Sequence, residues 1–362
     1  MRSHSTDTTA WSRMLLPLSW LYSAIVRFRN RLYDRGWLRS TRPAVATICV
    51  GNLSTGGTGK TPFVEYLVDL LKERYPIATL SRGYRRRTRG FLLAGPGHTA
   101  ADIGDEPMQL HRKFPTLTVA VGEERVPAID SLMESRPETA LVILDDAFQH
   151  RPVRAHLNIL LTDYSHPYVR DRMLPAGNLR DHPESASRAD ILIVTKCPAD
   201  LSRQDAATYE AALGLTLSKP LFFSSLAYSA PRDFQTWELR SIPPGASVLL
   251  LCGIANPEPL IRYLEEAVGP VDTMAFRDHH PFSRMEIEQL RSRFAGMEAA
   301  HRVIVTTEKD AVRLEPYRAL LADLPVFVQP VAHAFMFSSA ARFEGIIGTF
   351  MQAPADGWDP HT

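Results

Sequence analysis

Gly51-Asn52-Leu53-Ser54-Thr55-Gly56-Gly57-Thr58-Gly59-Lys60-Thr61 decides how this 362-residue chain is read. It follows an apolar run, Ala44–Val50, and opens a helical pattern over Pro62–Arg74. Glycines at three of four successive positions let backbone amides turn inward on a polyphosphate, and a helix starting there adds its positive end. Lys60 is placed to reach the β- and γ-phosphates, and the Thr61 hydroxyl to bind Mg2+. Ser54 stands where the generic G-x-x-x-x-G-K-[ST] loop has its first glycine, and Gly56-Gly57 moves the flexibility inward. The candidate nucleotide-binding residues are Ser54, Thr55, Gly56, Gly57, Thr58, Gly59, Lys60 and Thr61.

Outward from this loop the chain alternates strand and helix. Apolar, β-rich runs occur at Ala44–Val50, Ile77–Ser81, Leu117–Val121, Leu141–Leu144, Leu157–Thr162 and Ile191–Thr195, with helical patterns such as Pro62–Arg74 and Glu123–Ser135 between several of them. Near-continuous apolar strands separated by helices predict an α/β fold, a parallel sheet covered on both faces. A Pro-, Ser- and aromatic-rich stretch over about 219–244 breaks the rhythm and reads as a linker, with a strand pair as one form of it. A second, shorter α/β series follows: Ser247–Cys252, a helix from Pro257, Val271–Phe276, a helix from Ser283, Arg302–Thr306 and Pro325–Gln329. The expected organisation is an N-terminal arm (1–42), a phosphate-loop domain (43–218), a linker (219–246), a smaller α/β domain (247–350) and a tail (351–362). Hydrophobic residues at 45% and charged residues at 22% suit two cores and exclude wholesale disorder. Cys49, Cys197 and Cys252 lie far apart without a C-x-x-C pair, which supports neither a disulfide framework nor a thiolate zinc site.

A phosphate loop needs an acid at a strand end to order its metal. Leu141-Val142-Ile143-Leu144 runs straight into Asp145-Asp146, so these two join Thr61 as candidate Mg2+ ligands. Guanine recognition would want [NT]-K-x-D. The chain instead reads Thr195-Lys196-Cys197-Pro198 after the sixth strand, and adenine is expected. Thr55 occupies the place where partitioning ATPases carry a signature lysine, which counts against a nucleotide-driven switch.

The formal net charge of +1 hides an asymmetry. Residues 1–42 hold eight arginines against Asp7 and Asp34, about +6, on a mildly acidic body. Such an arm points to an anionic partner, membrane or nucleic acid. Its most apolar stretch, Met14–Val26, is 13 residues long and interrupted by Pro17, whereas a spanning helix needs about 20. No cleavage site of the secretory kind follows. Leu18, Leu21, Tyr22, Ile25, Phe28 and Leu32 recur at helical steps, Arg27, Arg31 and Arg35 step around another face, and Trp11, Trp20 and Trp37 could sit at headgroup depth. This predicts a helix lying in a membrane interface; the alternative is a helix that packs its stripe on the protein's own core.

Five blocks in their order and spacing resemble the tetraacyldisaccharide 4'-kinase family of lipid A biosynthesis. They are the loop with Pro62, Leu80-Ser81-Arg82-Gly83-Tyr84, Gly104-Asp105-Glu106-Pro107, Asp145-Asp146-Ala147-Phe148-Gln149-His150 with Leu174-Pro175-Ala176-Gly177-Asn178-Leu179-Arg180, and Asp278-His279-His280 with Thr307-Glu308-Lys309-Asp310-Ala311-Val312. The resemblance implies a peripheral, ATP- and Mg2+-dependent kinase at the cytoplasmic face of the inner membrane. Its acceptor would be the 4'-hydroxyl of a tetraacylated glucosamine disaccharide 1-phosphate, with no nucleic acid and no obligate protein partner. The fold it implies is a phosphate-loop α/β domain joined by a strand-pair linker to a smaller α/β domain.

Residue by residue, the resemblance makes Asp105 the catalytic aspartate and His279 the histidine that works with it. A sugar hydroxyl is a poor nucleophile near neutral pH, so a carboxylate that takes its proton, oriented by a histidine, suits the reaction. Asp278 reads as structural. Asp181 stands where the family usually has a glutamate proposed as a Mg2+ ligand, and Ala147 where a glycine usually follows Asp-Asp. Arg82, Arg85, Arg86, Arg87 and Arg89 could meet the substrate's 1-phosphate, nucleotide phosphate or lipid headgroups, or form a solvated loop; Arg82 belongs to a family block. Gln149, His150 and Asn178 are candidate polar contacts for the sugar.

Overall fold

The structure is a computed structural model and describes residues 14–214 and 219–353. The expectations that fall on Arg2, Asp7, Trp11, Arg13 and the tail beyond 353 lie outside the described residues. Helix α1 (Leu16–Asp34) is the first described element, with Pro17 in its first turn, where a missing N–H costs nothing. The main layer then runs β1 (Ala46–Asn52), α2 (Lys60–Leu71), β2 (Ile77–Ser81), β3 (Leu92–Leu93), α3 (Ala100–Ile103), α4 (Asp105–Lys113), β4 (Thr118–Val121) and α5 (Arg125–Ser135). It continues through β5 (Leu141–Asp145), β6 (Leu157–Asp163), β7 (Ile191–Thr195), α6 (Arg203–Leu213) and β8 (Leu221–Tyr228). The smaller layer holds β9 (Arg232–Asp233), β10 (Ser247–Cys252), α7 (Glu258–Ala267), β11 (Val271–Ala275), α8 (Arg284–Ala295), β12 (Arg302–Thr307), α9 (Glu308–Leu314) and β13 (Val326–Gln329). The chain then returns through β14 (Val331–Phe335) and α10 (Ala340–Gln352).

The large sheet has nine strands in the order β14-β8-β7-β6-β1-β5-β2-β4-β3, parallel throughout except for antiparallel β14 and β3 at its two edges. Successive side chains of a strand point to opposite faces. Ile48 and Val50 of β1 accordingly bury against Phe63, Val64 and Leu67 of α2 with Leu110 of α4, while Cys49 buries with Ile129 and Leu132 of α5 and Ala206 of α6. The smaller sheet, β11-β10-β12-β13-β9, repeats the arrangement with α8 and α9 on one face and α7 on the other. Because β1 lies between β5 and β6, chain order reverses at its carboxyl end, the place where open α/β sheets form a ligand crevice. There Val50 pairs with Asp145, so the loop and the acids emerge side by side.

Two expectations about organisation need correcting. Residues 219–246, read as a linker with a strand pair as one form of it, include Leu221–Tyr228, a strand of the large sheet with Phe222 and Phe223 buried on its opposite faces. Its antiparallel partner is Val331–Phe335, so the strand pair exists but its second strand arrives from more than 100 residues later. Nor does the smaller domain extend to 350. Phe343, Ile347 and Phe350 of α10 join the core beneath α2, so the main domain resumes at Val331 and the smaller layer is inserted into it.

Helix α1 presents its stripe outward. Leu18, Leu21, Ile25 and Phe28 are exposed by 55–64%, Trp20 by 70% and Trp37, just beyond the helix, by 71%. Tyr22 departs from the expected stripe: with Val26 it packs on the body, and its hydroxyl donates to the Arg180 carbonyl at 3.0 Å. The inward face is polar where it meets the loop before β7. The Ser19 hydroxyl accepts from the Ala176 N–H at 2.9 Å, and the Asn30 amide donates to Asp181 Oδ1 at 2.8 Å. No helix among the described residues is long and apolar enough to cross a membrane.

Candidate active site

The nucleotide loop is braced from both sides. Ser54 bridges to Leu179, and the Thr55 N–H donates to the Asn178 carbonyl at 2.7 Å. Thr195 Oγ1, from the end of β7, donates to the Thr58 carbonyl at 2.9 Å. Helix α2 begins at Lys60, with Thr61 its second residue and Gly59 its left-handed N-cap. Lys60 Nζ donates to Asn52 Oδ1 at 3.2 Å and lies 3.6 Å from Asp146 Oδ1.

The two aspartates after β5 have different environments. Asp146, at a left-handed φ of 51°, receives both Arg180 Nη atoms, at 2.7 and 3.0 Å. Burial opposes its ionisation, but Lys60 and Arg180 outweigh that and hold the carboxyl well below the usual range. Asp145 is buried, and its Oδ1 finds no hydrogen-bond partner among the described residues. Burial, reinforced by the charge of Asp146, pushes its pKa up to about 7. An orphaned carboxylate oxygen beside a phosphate loop suits a hard cation that takes few protein ligands and keeps phosphate and water as the rest.

Asp181 does not fit that role. Its Oδ2 is held by Arg188 at 2.7 Å, and its Oδ1 accepts from Asn30, Ser185 Oγ and the His182 N–H at 2.8–2.9 Å. Both oxygens are satisfied, and the residue ties α1 to the body. Arg180, one position earlier, is the member of that segment which reaches the loop. Gln149 turns inward as well, donating to the Asn52 carbonyl at 2.7 Å, and Asn178 supports Thr55 through its main chain. His150 Nε2 accepts from the Arg125 N–H at 3.4 Å, and burial with the nearby Arg125 charge lowers its pKa to about 4.

Across the crevice stands Asp105, the first residue of α4, where a negative charge suits the helix N-terminus. The preceding Gly104 has φ 97°, and a Cβ there would lie 3.1 Å from Gly83 Cα, so the Arg82 loop and α4 approach backbone to backbone. From the smaller layer, His279 Nδ1 lies 3.1 Å from Asp105 Oδ2, and Arg313 donates to the same oxygen from Nε at 2.9 Å and Nη2 at 2.7 Å. Lys309 Nζ is 3.0 Å from His279 Nε2 and 2.8 Å from Asp278 Oδ1. An ionised carboxylate can only accept, so Nδ1 carries the hydrogen that donates to Asp105 and Nε2 is left to accept from Lys309; Arg313 Nη2, 3.0 Å from Nδ1, is its fellow donor on the same carboxylate oxygen. Burial raises the Asp105 pKa, but the hydrogen bonds from His279 and Arg313 and the Arg313 charge bring it down to about 2. Arg313 is itself set by Asp310, whose buried carboxylate holds Nη1 at 2.9 Å and the Gly253 N–H at 2.9 Å.

Tyr84 packs edge-on to His279, and beside it Arg82, Arg85, Arg87 and Arg89 line a basin of about 470 Å³. Arg86 is the exception among the five. It lines the basin too, but its side chain is buried against Glu123 at 2.7 Å, where it pins the loop.

A phosphate loop with a buried acid, facing a carboxylate that shares a hydrogen bond with a histidine, defines a phosphotransferase. A family model described as tetraacyldisaccharide-1-P 4'-kinase matches residues 11–350. A tetraacyldisaccharide 4'-kinase of Bacteroides thetaiotaomicron is 44% identical over 91% of this chain and 89% of its own, and one of Parabacteroides distasonis is 41% identical over 94% and 95%. The crystal structure of LpxK from Aquifex aeolicus in complex with ATP superposes with a TM-score of 0.73 at 28% identity, covering 94% of this chain and 99% of that one. The chain belongs to the tetraacyldisaccharide-1-P 4'-kinase family: it is an ATP-dependent kinase acting in lipid A biosynthesis.

Proposed function

We propose that this site transfers the γ-phosphate of ATP to the 4'-hydroxyl of a tetraacylated disaccharide 1-phosphate, with Asp105 as proton acceptor. The observation that carries the assignment is the contact of Asp105 with His279 and Arg313, which brings the helix beside the loop and the smaller layer onto one carboxylate oxygen. With Oδ2 holding three donors, Oδ1 is the oxygen assigned to the incoming hydroxyl. A carboxylate with a pKa of about 2 is a weak base. It takes the proton late, once bond formation to phosphorus has made the hydroxyl acidic, in keeping with a loose transition state. His279 orients the carboxylate, and Lys309 keeps the imidazole in the tautomer that does so.

On the nucleotide side, the amides of residues 54–61 would cradle the phosphates and Lys60 would neutralise them. Asp145, with the Thr61 hydroxyl, would hold Mg2+, which would neutralise phosphate charge there; Asp146, both of whose oxygens Arg180 engages, would act beside them rather than as a direct ligand. The orphaned oxygen of Asp145 supports this set, and the saturated Asp181 is left out of it. The open edge of the Arg82 basin and the outward stripe of α1 support an acceptor presented at a membrane surface, the cytoplasmic face of the inner membrane.

The deciding assay is transfer from labelled ATP to tetraacyldisaccharide 1-phosphate in detergent micelles. Product with a new 4'-phosphate is expected; folded, ATP-binding protein that makes none would overturn the proposal.

A further inference from the structure

The back of the nucleotide loop is held by a residue with no part in the chemistry above. His333 lies on β14, the strand returning from the smaller layer, opposite Leu226 in the antiparallel register. Its ring is buried at 6% exposure and stands edge-on to Phe63 of α2, with centroids 5.4 Å apart. Nε2 lies 2.9 Å from the Gly59 carbonyl oxygen, and Nδ1 lies 2.9 Å from Ser224 Oγ on β8. A carbonyl can only accept, so Nε2 carries the hydrogen and Nδ1 accepts from the Ser224 hydroxyl.

Geometry makes this bond matter. In a trans peptide the carbonyl and the next residue's N–H point in opposite directions. The Gly59 carbonyl, which as the helix N-cap also accepts from the Phe63 N–H at 3.2 Å, is held back by the shorter bond from His333, and the Lys60 N–H is thereby kept turned forward, into the cradle. Thr195 does the same one peptide earlier by drawing back the Thr58 carbonyl, which turns the Gly59 N–H forward. Gly59 makes room for the contact: its φ is +78°, and a Cβ there would come within 3.2 Å of His333 Nε2.

We infer that His333 is a positioning residue for the nucleotide, aiming the Lys60 amide at phosphate from behind the loop. The inference rests on the reading of residues 54–61 as the ATP site. It also means that the strand anchoring the smaller layer, which supplies His279 and Arg313, anchors the phosphate cradle.

The test is MgATP titration by calorimetry together with steady-state kinetics for both substrates. His333→Phe keeps an aromatic ring against Phe63 and removes the donor; His333→Gln keeps a donor at comparable reach. Loss of one neutral hydrogen bond corresponds to roughly a five- to tenfold change. For His333→Phe, the Kd and KM for MgATP are expected to rise by about that factor, with the acceptor KM within about twofold and His333→Gln recovering most of the loss. A ring needed only for packing would lower Tm yet leave the MgATP KM of folded His333→Phe at the wild-type value, and that result overturns the inference. Lys60→Ala separates the two levels. If it binds MgATP as well as wild type, the loop assignment falls and this inference with it; if it fails to bind while His333→Phe binds normally, only the role of His333 falls.

Discussion

Asp105 owes its character to Arg313, a residue 208 positions away in the chain. Replacing Asp105 with Asn should lower kcat by about 10²- to 10⁴-fold while calorimetric MgATP affinity stays at the wild-type value. Arg313→Ala removes two hydrogen bonds and the adjacent charge, so the Asp105 pKa must rise from about 2 toward the ordinary carboxylate range. The acid limb of kcat/KM should then move to higher pH while the alkaline limb stays, and an unshifted profile would detach Arg313 from the base. Asp105 and His279 were legible in the sequence only through the family blocks, since either residue alone reads as structural. Arg313 falls one position past the last quoted block, and nothing local marks it except Asp310 three residues earlier on the same helix face. Asp181 was misread for a related reason. Carboxylate chemistry is visible in sequence, but Arg188, Asn30 and Ser185, which saturate it, are assembled by folding.

At the scale of elements, α1 divides its labour between two faces. Leu21→Asp or Phe28→Asp changes a side chain at least 60% exposed, so stability should shift by no more than about 0.5 kcal/mol. Sedimentation with anionic vesicles should be lost with either change; retained sedimentation would move the contact to the arginines. The same comparison separates lipid from a protein partner, because docking on protein predicts no effect of either substitution on bare vesicles. Most strands were legible because burial on both faces leaves an uninterrupted apolar run, as in Leu141–Asp145. β8 was not. Its partner β14 is supplied from beyond the smaller layer, and long-range pairing leaves no local trace of its own.

For the molecule as a whole, α4 is the seam between the two layers. Below Asp105, Arg112 pairs with Glu315, and Lys113 bridges Glu65 of α2 and Glu308 of α9, each at 2.8 Å. Two buried carboxylates share one ammonium there. Burial, with Glu308 adding to it, raises the Glu65 pKa to about 7 against an ordinary 4.5, although Lys113 and Gln109 partly offset the rise. The folded state therefore holds a proton that the unfolded chain has already released. The stability this contributes is complete below about pH 4.5 and is lost as pH climbs through 7. Glu65→Gln should flatten the fall of Tm across that window and exceed wild type at pH 8, by about 2–4 °C for each kcal/mol relieved; a parallel fall in both proteins would place the proton elsewhere.

The inserted layer leaves the large sheet after Tyr228 and re-enters at Val331, and these two residues face each other in the antiparallel ladder. Everything between them is bound in like a page at its spine, along a margin about one strand spacing, ~4.8 Å, wide. His279 and Arg313 are written on that page and Asp105 on the cover beneath, so the contacts of Asp105, with the pairs of Arg112 with Glu315 and Lys113 with Glu308 below it, are the clasp that keeps the page on its cover. The same binding makes the page removable. A two-residue turn joining Tyr228 to Val331 would close the ladder as a hairpin and leave the main layer without His279 and Arg313.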